Sequence, residues 1–217
     1  MKTRTITGPR GPFLIPAEPE ATSYHAERCC RSVFEGEYSY LRTAPEDVRT
    51  LVDVGCNVGA FFVWACAWWP SLRQIYGYDP NKAAIDLAFQ NCGEFTAPVP
   101  VVVTCAAVTS SRLGDAYLAM DENWGASKTF GVRSGTRVPV VDPGDLPAAD
   151  VLKCDAEGVG HEVFSSYRHW GGVKVALYES HHETERIIME HACRAAGLHM
   201  VRGNPENPDG DVRVWIR

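Results

Sequence analysis

Short apolar runs alternate with helix-length segments from Thr50 onward, and this alternation restricts the chain's fold more than any other feature. Strands are expected at "TLVDV" (50–54), "QIYGYD" (74–79), "VPVVVTCAAV" (99–108), "DVLKCDA" (150–156) and "VKVALYES" (173–180). The helices expected between them are Ala60 to Trp69, stopped by Pro70, Asn81 to Asn91 with Gly93 just past its end, the segment "GHEVFSSYRHW", and Thr184 to Ala196 closed by Gly197. Apolar strands joined through helices make a parallel sheet with both faces covered. The last two strands, "HMVRG" and "DVRVWIR", have no helix between them and must pair as a hairpin. The expectation is a doubly wound, mostly parallel α/β sheet with an antiparallel C-terminal hairpin.

Upstream, "TRTITGPRGPFLI" alternates around a Gly-Pro-Arg-Gly turn and predicts a hairpin of Thr3 to Thr7 with Phe13 to Ile15. "TSYHAERCCRSVFEGEY" predicts a helix capped by Ser23 and ended near Gly36. Residues 1–45 therefore add a hairpin and a helix to a single domain spanning 1–217, for which 45% hydrophobic residues supply the core. Residues 110–137 lack a clear period and are expected to form a loop or lid insertion.

The net charge of −6 gives no electrostatic footprint for nucleic acid. The run "AFFVWACAWW" is about half the length that spans a bilayer, and "MKTRTITGPRG" lacks the apolar core of a signal peptide, so a cytoplasmic protein without a membrane partner is expected. Eight cysteines without a CxxC pair read as reduced, mostly buried thiols.

In such a sheet, ligands bind outside the C-terminal ends of the strands, where the first strand passes to its helix. "LVDVGCNVGAFF" (51–62) is that turn. Gly55 permits a tight turn and Gly59 a close approach of the helix. A dinucleotide fingerprint would read G-x-G-x-x-G and present bare backbone to a pyrophosphate. Here Asp53 and Asn57 place polar groups instead, which suits a ligand with an amine, a positive charge and no phosphate, as in S-adenosylmethionine. Asp79, 26 residues after Asp53, ends the next strand, where a carboxylate accepts hydrogen bonds from ribose hydroxyls. Structural roles as caps compete for both aspartates.

These stretches, with "EGEYSYL", "VLKCDAEGVGHEVF" and "VALYESHH", resemble the FkbM-like family of class I S-adenosylmethionine-dependent methyltransferases over about residues 35–197. The resemblance implies a seven-stranded Rossmann-like sheet. It further implies Asp53, Gly55, Asn57 and Gly59 near the methionine part of the cofactor, Asp79 on the ribose and Ala106 beside the adenine. Asn81 either assists Asp79 or caps the following helix.

On the acceptor side, Asp155 and Glu157 stand two apart after one strand, and Glu179 and His181 follow the next. Either Asp155, Glu157 or His181 acts as a base on an acceptor hydroxyl, or the same three hold a divalent metal that acidifies it. The metal-free version is slightly preferred. Trp124 and Ser127 in the long loop are candidates to cover the acceptor. The function expected is O-methylation of a small-molecule hydroxyl, on a sugar or natural-product intermediate, an acceptor class that rests on the resemblance. Its rivals are an inactive cofactor-binding scaffold and a methyltransferase acting on a protein or nucleotide.

Overall fold

A computed structural model describes residues 1–43, 47–95, 99–110, 116–129, 135–202 and 212–217. The chain opens with strands β1 (Thr3–Gly8) and β2 (Gly11–Pro16), then helix α1 (Glu20–Ser32) and one π-helical turn, Val33–Glu37. There follow β3 (Thr50–Val54), α2 (Ala60–Trp68), β4 (Gln74–Asp79), α3 (Lys82–Phe95) and β5 (Val101–Cys105). Four short strands come next: β6 (Ala107–Val108), β7 (Ala116–Leu118), β8 (Thr136–Val138) and β9 (Val140–Val141). The chain closes with β10 (Val151–Cys154), α4 (Gly160–Ser166), β11 (Val175–Glu179), α5 (Glu183–Ala195), β12 (His199–Arg202) and β13 (Val212–Ile216).

Seven strands make the central sheet, in the order β12-β13-β11-β10-β3-β4-β5. β11, β10, β3, β4 and β5 run parallel, and β13 pairs antiparallel with both β11 and β12. The parallel strands therefore end along one edge, and their C-terminal turns converge there. One face of the sheet buries Leu51, Ile75 and Val151 against Phe62, Trp64 and Trp69. The other buries Val52 and Leu152 against Phe164 of α4 and Met189 of α5.

Helix α2 is buried at every position from Ala60 to Cys66. A helix apolar all round must be covered on its outer side as well. The N-terminal hairpin does this: Ile6, Phe13 and Ile15 pack with Ala60 and Val63 of α2 and with Leu87 of α3. The fully buried Asn91 of α3 locks the hairpin in place, accepting from the Leu14 N–H at 2.8 Å and donating to the carbonyls of Leu14 and Val58. This packing carries α1 and the π turn to the edge where the strands end.

Several boundaries differ from expectation for local reasons. Helix α1 starts at Glu20, and Ser23 is buried within it, its Oγ accepting from Arg4 Nε at 2.7 Å. Helix α3 runs on through Gly93, whose surroundings leave the backbone uncrowded. The strand expected at 99–108 breaks at Ala106, so that β6 leaves the sheet and pairs with β9. Helix α4 ends at Ser166, after which Tyr167 turns extended and donates its hydroxyl to the Pro147 carbonyl. Within 110–137, β7 and β8 pair antiparallel and Ala119 bridges Lys128, which makes the described part a hairpin arm. Residues 111–115 and 130–134 of that expectation lie outside the described residues. Among the described residues no helix is long and apolar enough to cross a membrane.

Candidate active site

A cleft of about 480 Å³ runs along the C-terminal ends of the parallel strands, a size typical of small-molecule sites. Its floor is the turn after β3. Gly55 has φ +81, and a Cβ there would lie 2.0 Å from the Asp155 carbonyl oxygen. Only glycine allows the turns after β3 and β10 to meet this closely. The N–H groups of Gly55 and Cys56 both donate to the Tyr78 carbonyl, which ties this turn to β4. Asn57, at φ 48, directs its N–H to Asp79 Oδ2 at 3.0 Å, and the Asn81 N–H reaches Asp79 Oδ1 at 2.8 Å. Burial pushes the Asp79 carboxyl up to about 6 against these two donors. Asp79 lines the cleft, and Ala106 and Ala107 form the small apolar wall beside it.

Three residues expected around the cofactor do not line the cleft. Asp53 is fully buried beneath it, because it shares a sheet face with Leu51, the face that α2 covers. Its Oδ1 accepts from Lys153 Nζ at 2.9 Å, its register partner on β10. Gly59 has φ +80 and sits where a Cβ would press on Ala88 at 3.3 Å, so it serves the packing of α2 on α3. Asn81 caps α3, its Oδ1 accepting from the N–H groups of Ala83 and Ala84.

The opposite wall gathers Asp155 and Glu157 after β10, Glu179 at the end of β11, and Glu37 from the π turn. His181 stands behind this wall. Its Nε2 is 3.3 Å from Glu157 and its Nδ1 3.7 Å from the fully buried Glu185. Burial opposes charge on the imidazole, but Glu185, Glu157 and Asp155 override it and push its pKa up to about 9. The acids around His181 thus favour its protonated form, which disfavours it as a base. Glu179 is raised as well, and there the shift favours the neutral form: burial, then Asp155, pushes it up to about 7. Asp155, Glu179 and His181 each bring one ligand-type atom within 4.8 Å of the others. Glu157, expected in such a set, faces His181 and, at 3.9 Å, Lys128 instead.

Trp124 and Ser127 line the cleft from the tip of the hairpin arm. Asn123 shapes that tip by accepting from the Gly125 N–H at 3.2 Å. Three groups escaped the sequence reading. Glu37 reaches the cleft only through the docking of the N-terminal segment. Lys153 lines it from β10 and stands 3.8 Å from Asp155. Glu185 accepts from the N–H groups of Gly160 at 2.7 Å and His181 at 2.9 Å, which joins the turn after β10 to the turn after β11. The period of α5 alone could have marked Glu185, as an acid on its buried face.

No protein-family model matches the chain, and no curated protein matches it in sequence. Among solved structures it is similar to methyltransferase FkbM from Methylobacillus flagellatus KT, with 12% identity and a TM-score of 0.56 over 91% of this chain and 53% of that one. The chain spans about half the length of that protein. It is also similar to the magnesium protoporphyrin IX methyltransferase of Synechocystis PCC 6803 with bound S-adenosylmethionine, at 13% identity and a TM-score of 0.48, over 91% of this chain and 82% of that one. The chain has the Rossmann-like fold of the class I S-adenosylmethionine-dependent methyltransferases.

Proposed function

We propose that this protein is an S-adenosylmethionine-dependent methyltransferase of the FkbM-like kind, working in the cytoplasm, and that it methylates a hydroxyl of a small molecule. The observation that carries the reading is the placement of Asp79. Its two oxygens are oriented by the N–H groups of Asn57 and Asn81 while the carboxylate lines the cleft beside the small wall of Ala106 and Ala107. A carboxylate so fixed keeps lone pairs for the two hydroxyls of a ribose, and the alanines leave room for a flat base. The acidic ends of β4, β10 and β11 repel a pyrophosphate and attract a cation, so this donor set fits a cationic nucleoside and disfavours a dinucleotide.

When bound, S-adenosylmethionine supplies a methyl group on a sulfonium, open to in-line displacement. The chain's own contribution is alignment, for which well-oriented groups reach effective molarities of ~10⁵ to 10⁸ M. Trp124 and Ser127 close the cleft over the acceptor and exclude water. Glu179 takes the acceptor proton in place of His181, since burial and Asp155 push its carboxyl up to about 7, the range matched to proton removal at neutral pH. Glu157 and the imidazolium of His181 hold the wall in position. We propose that transfer needs no divalent metal, since Glu157, expected in a metal-holding set, is turned to His181 and Lys128 instead.

Thermal unfolding followed by fluorescence, in the presence of S-adenosylmethionine, its demethylated product or NAD, tests the reading. The first two should raise Tm with concentration and NAD should not. A shift with NAD alone would overturn it.

A further inference from the structure

Five carboxylates line the cleft, Glu37, Asp79, Asp155, Glu157 and Glu179, against two permanently charged bases, Arg28 and Lys153, and one histidine, His25. The two bases do little to neutralise the wall. Lys153 is engaged at 2.9 Å with Asp53, a buried charge outside the cleft, and only its residual field reaches Asp155. Arg28 lies exposed on α1, where water screens it. Behind the wall, His181 is shared between Glu157 and the fully buried Glu185. Lys128 is 3.9 Å from Glu157 and largely exposed, a pair worth little.

The proposed cofactor would not close the gap either. Its ammonium and carboxylate cancel, leaving one positive charge at the sulfonium, and Asp79 is engaged with the ribose. Glu37, Asp155 and Glu179 then face one another across a partly desolvated space. Burial and this mutual repulsion together push both Glu37 and Glu179 up from the ordinary carboxylate range. Such a wall is complementary to a cation. Tyr38 and Trp124 line the same cavity, and aromatic rings add attraction for an ammonium group.

We propose that the methyl acceptor carries a protonated amine, seated against Glu37 and Asp155 with Trp124 at the lip, and that the hydroxyl to be methylated lies beside it, toward Glu179. The acceptor class is thus an amino alcohol or amino sugar, and a neutral sugar is disfavoured. The proposal rests on the methyltransferase reading for the place of the transferred methyl, and on the wall alone for the charge of the acceptor.

The test is calorimetric titration, with chelator present throughout, of the protein saturated with S-adenosylhomocysteine. The probes are benzylammonium and its neutral counterpart benzyl alcohol. Benzylammonium should bind saturably and about tenfold tighter than the alcohol, a difference of about 1.4 kcal/mol. Salt should weaken it, and Glu37→Gln should lower its affinity severalfold while leaving S-adenosylhomocysteine affinity unchanged. Equal binding of the two probes, no saturable binding of the ammonium, or indifference to Glu37→Gln would overturn the proposal. If S-adenosylhomocysteine itself does not bind, the methyltransferase reading fails, and the same comparison on the protein alone still decides whether the wall takes an ammonium.

Discussion

Lys153 Nζ lies 2.9 Å from Asp53 Oδ1, across adjacent parallel strands in direct register, with both side chains buried, Lys153 at the cleft wall and Asp53 beneath it. Burial opposes the charge on Lys153, and the Asp53 carboxylate overrides it and holds the ammonium protonated. The pair anchors β3 to β10 at the point where their turns build the site.

Breaking that pair on one side should be costly. Lys153→Met leaves Asp53 as an uncompensated buried charge, for which losses of about 3–5 kcal/mol are usual. Urea unfolding should show this loss, and the double variant Lys153→Met with Asp53→Leu should recover most of it. A single variant as stable as wild type would show that the pair contributes nothing.

The Glu185 carboxylate gives a pH signature. Its hydrogen bonds and the His181 charge, against burial, hold its pKa below 4.5, so its stabilisation is full above 4.5 and is lost as pH falls through its folded value. His181 is raised from 6.5 to about 9, so its share is full below 6.5 and is lost as pH rises through about 9. From these two groups, stability should therefore decline on both sides of a plateau between about pH 4.5 and 6.5. Glu185→Ala should remove at least about 2 kcal/mol, because it leaves two N–H groups without an acceptor. It should also speed hydrogen exchange at the amides of Gly160 and His181. Unchanged exchange at both amides would show that Glu185 does not join the two turns.

Gly55→Ala should separate fold from site. The added methyl meets the Asp155 carbonyl in a backbone region that alanine disfavours. The turns after β3 and β10 must move apart, and S-adenosylmethionine affinity should fall by at least about 100-fold, or 2.7 kcal/mol. Gly93→Ala, where the added methyl meets nothing within 4 Å, should leave binding unchanged. Titration of both variants checks the pair.

The alternation from Thr50 onward made the seven strands legible because each buried strand declares itself by apolar content. Gly55, Asn57 and Asp79 were legible for a related reason: a turn at a strand end has strict local requirements. Asp53 was misplaced because a motif gives the spacing of a side chain but not which face of the sheet it shares. Glu37 depends on the docking of α1, a relationship that no local period records, and the period of α5 marks Glu185 as buried without showing the two turns that it joins. His181 stands among the candidate bases beside Asp155 and Glu157 because the sequence does not show that the buried Glu185 lies against its ring.

The most direct test of the central claim is calorimetric titration of wild type and Asp79→Ala with S-adenosylmethionine between pH 5 and 8. Burial raises the Asp79 pKa from 3.8 to about 6, so the free protein's stability from this group is full below 3.8 and is lost as pH rises through about 6. Cofactor affinity should run the other way, because only the ionised carboxylate accepts from both ribose hydroxyls. Saturable binding that weakens below pH 6 in wild type, and that is at least about tenfold weaker (1.4 kcal/mol) and flat with pH in Asp79→Ala, is the predicted result. Binding equally tight in the variant, or absent from wild type at every pH, would contradict the account.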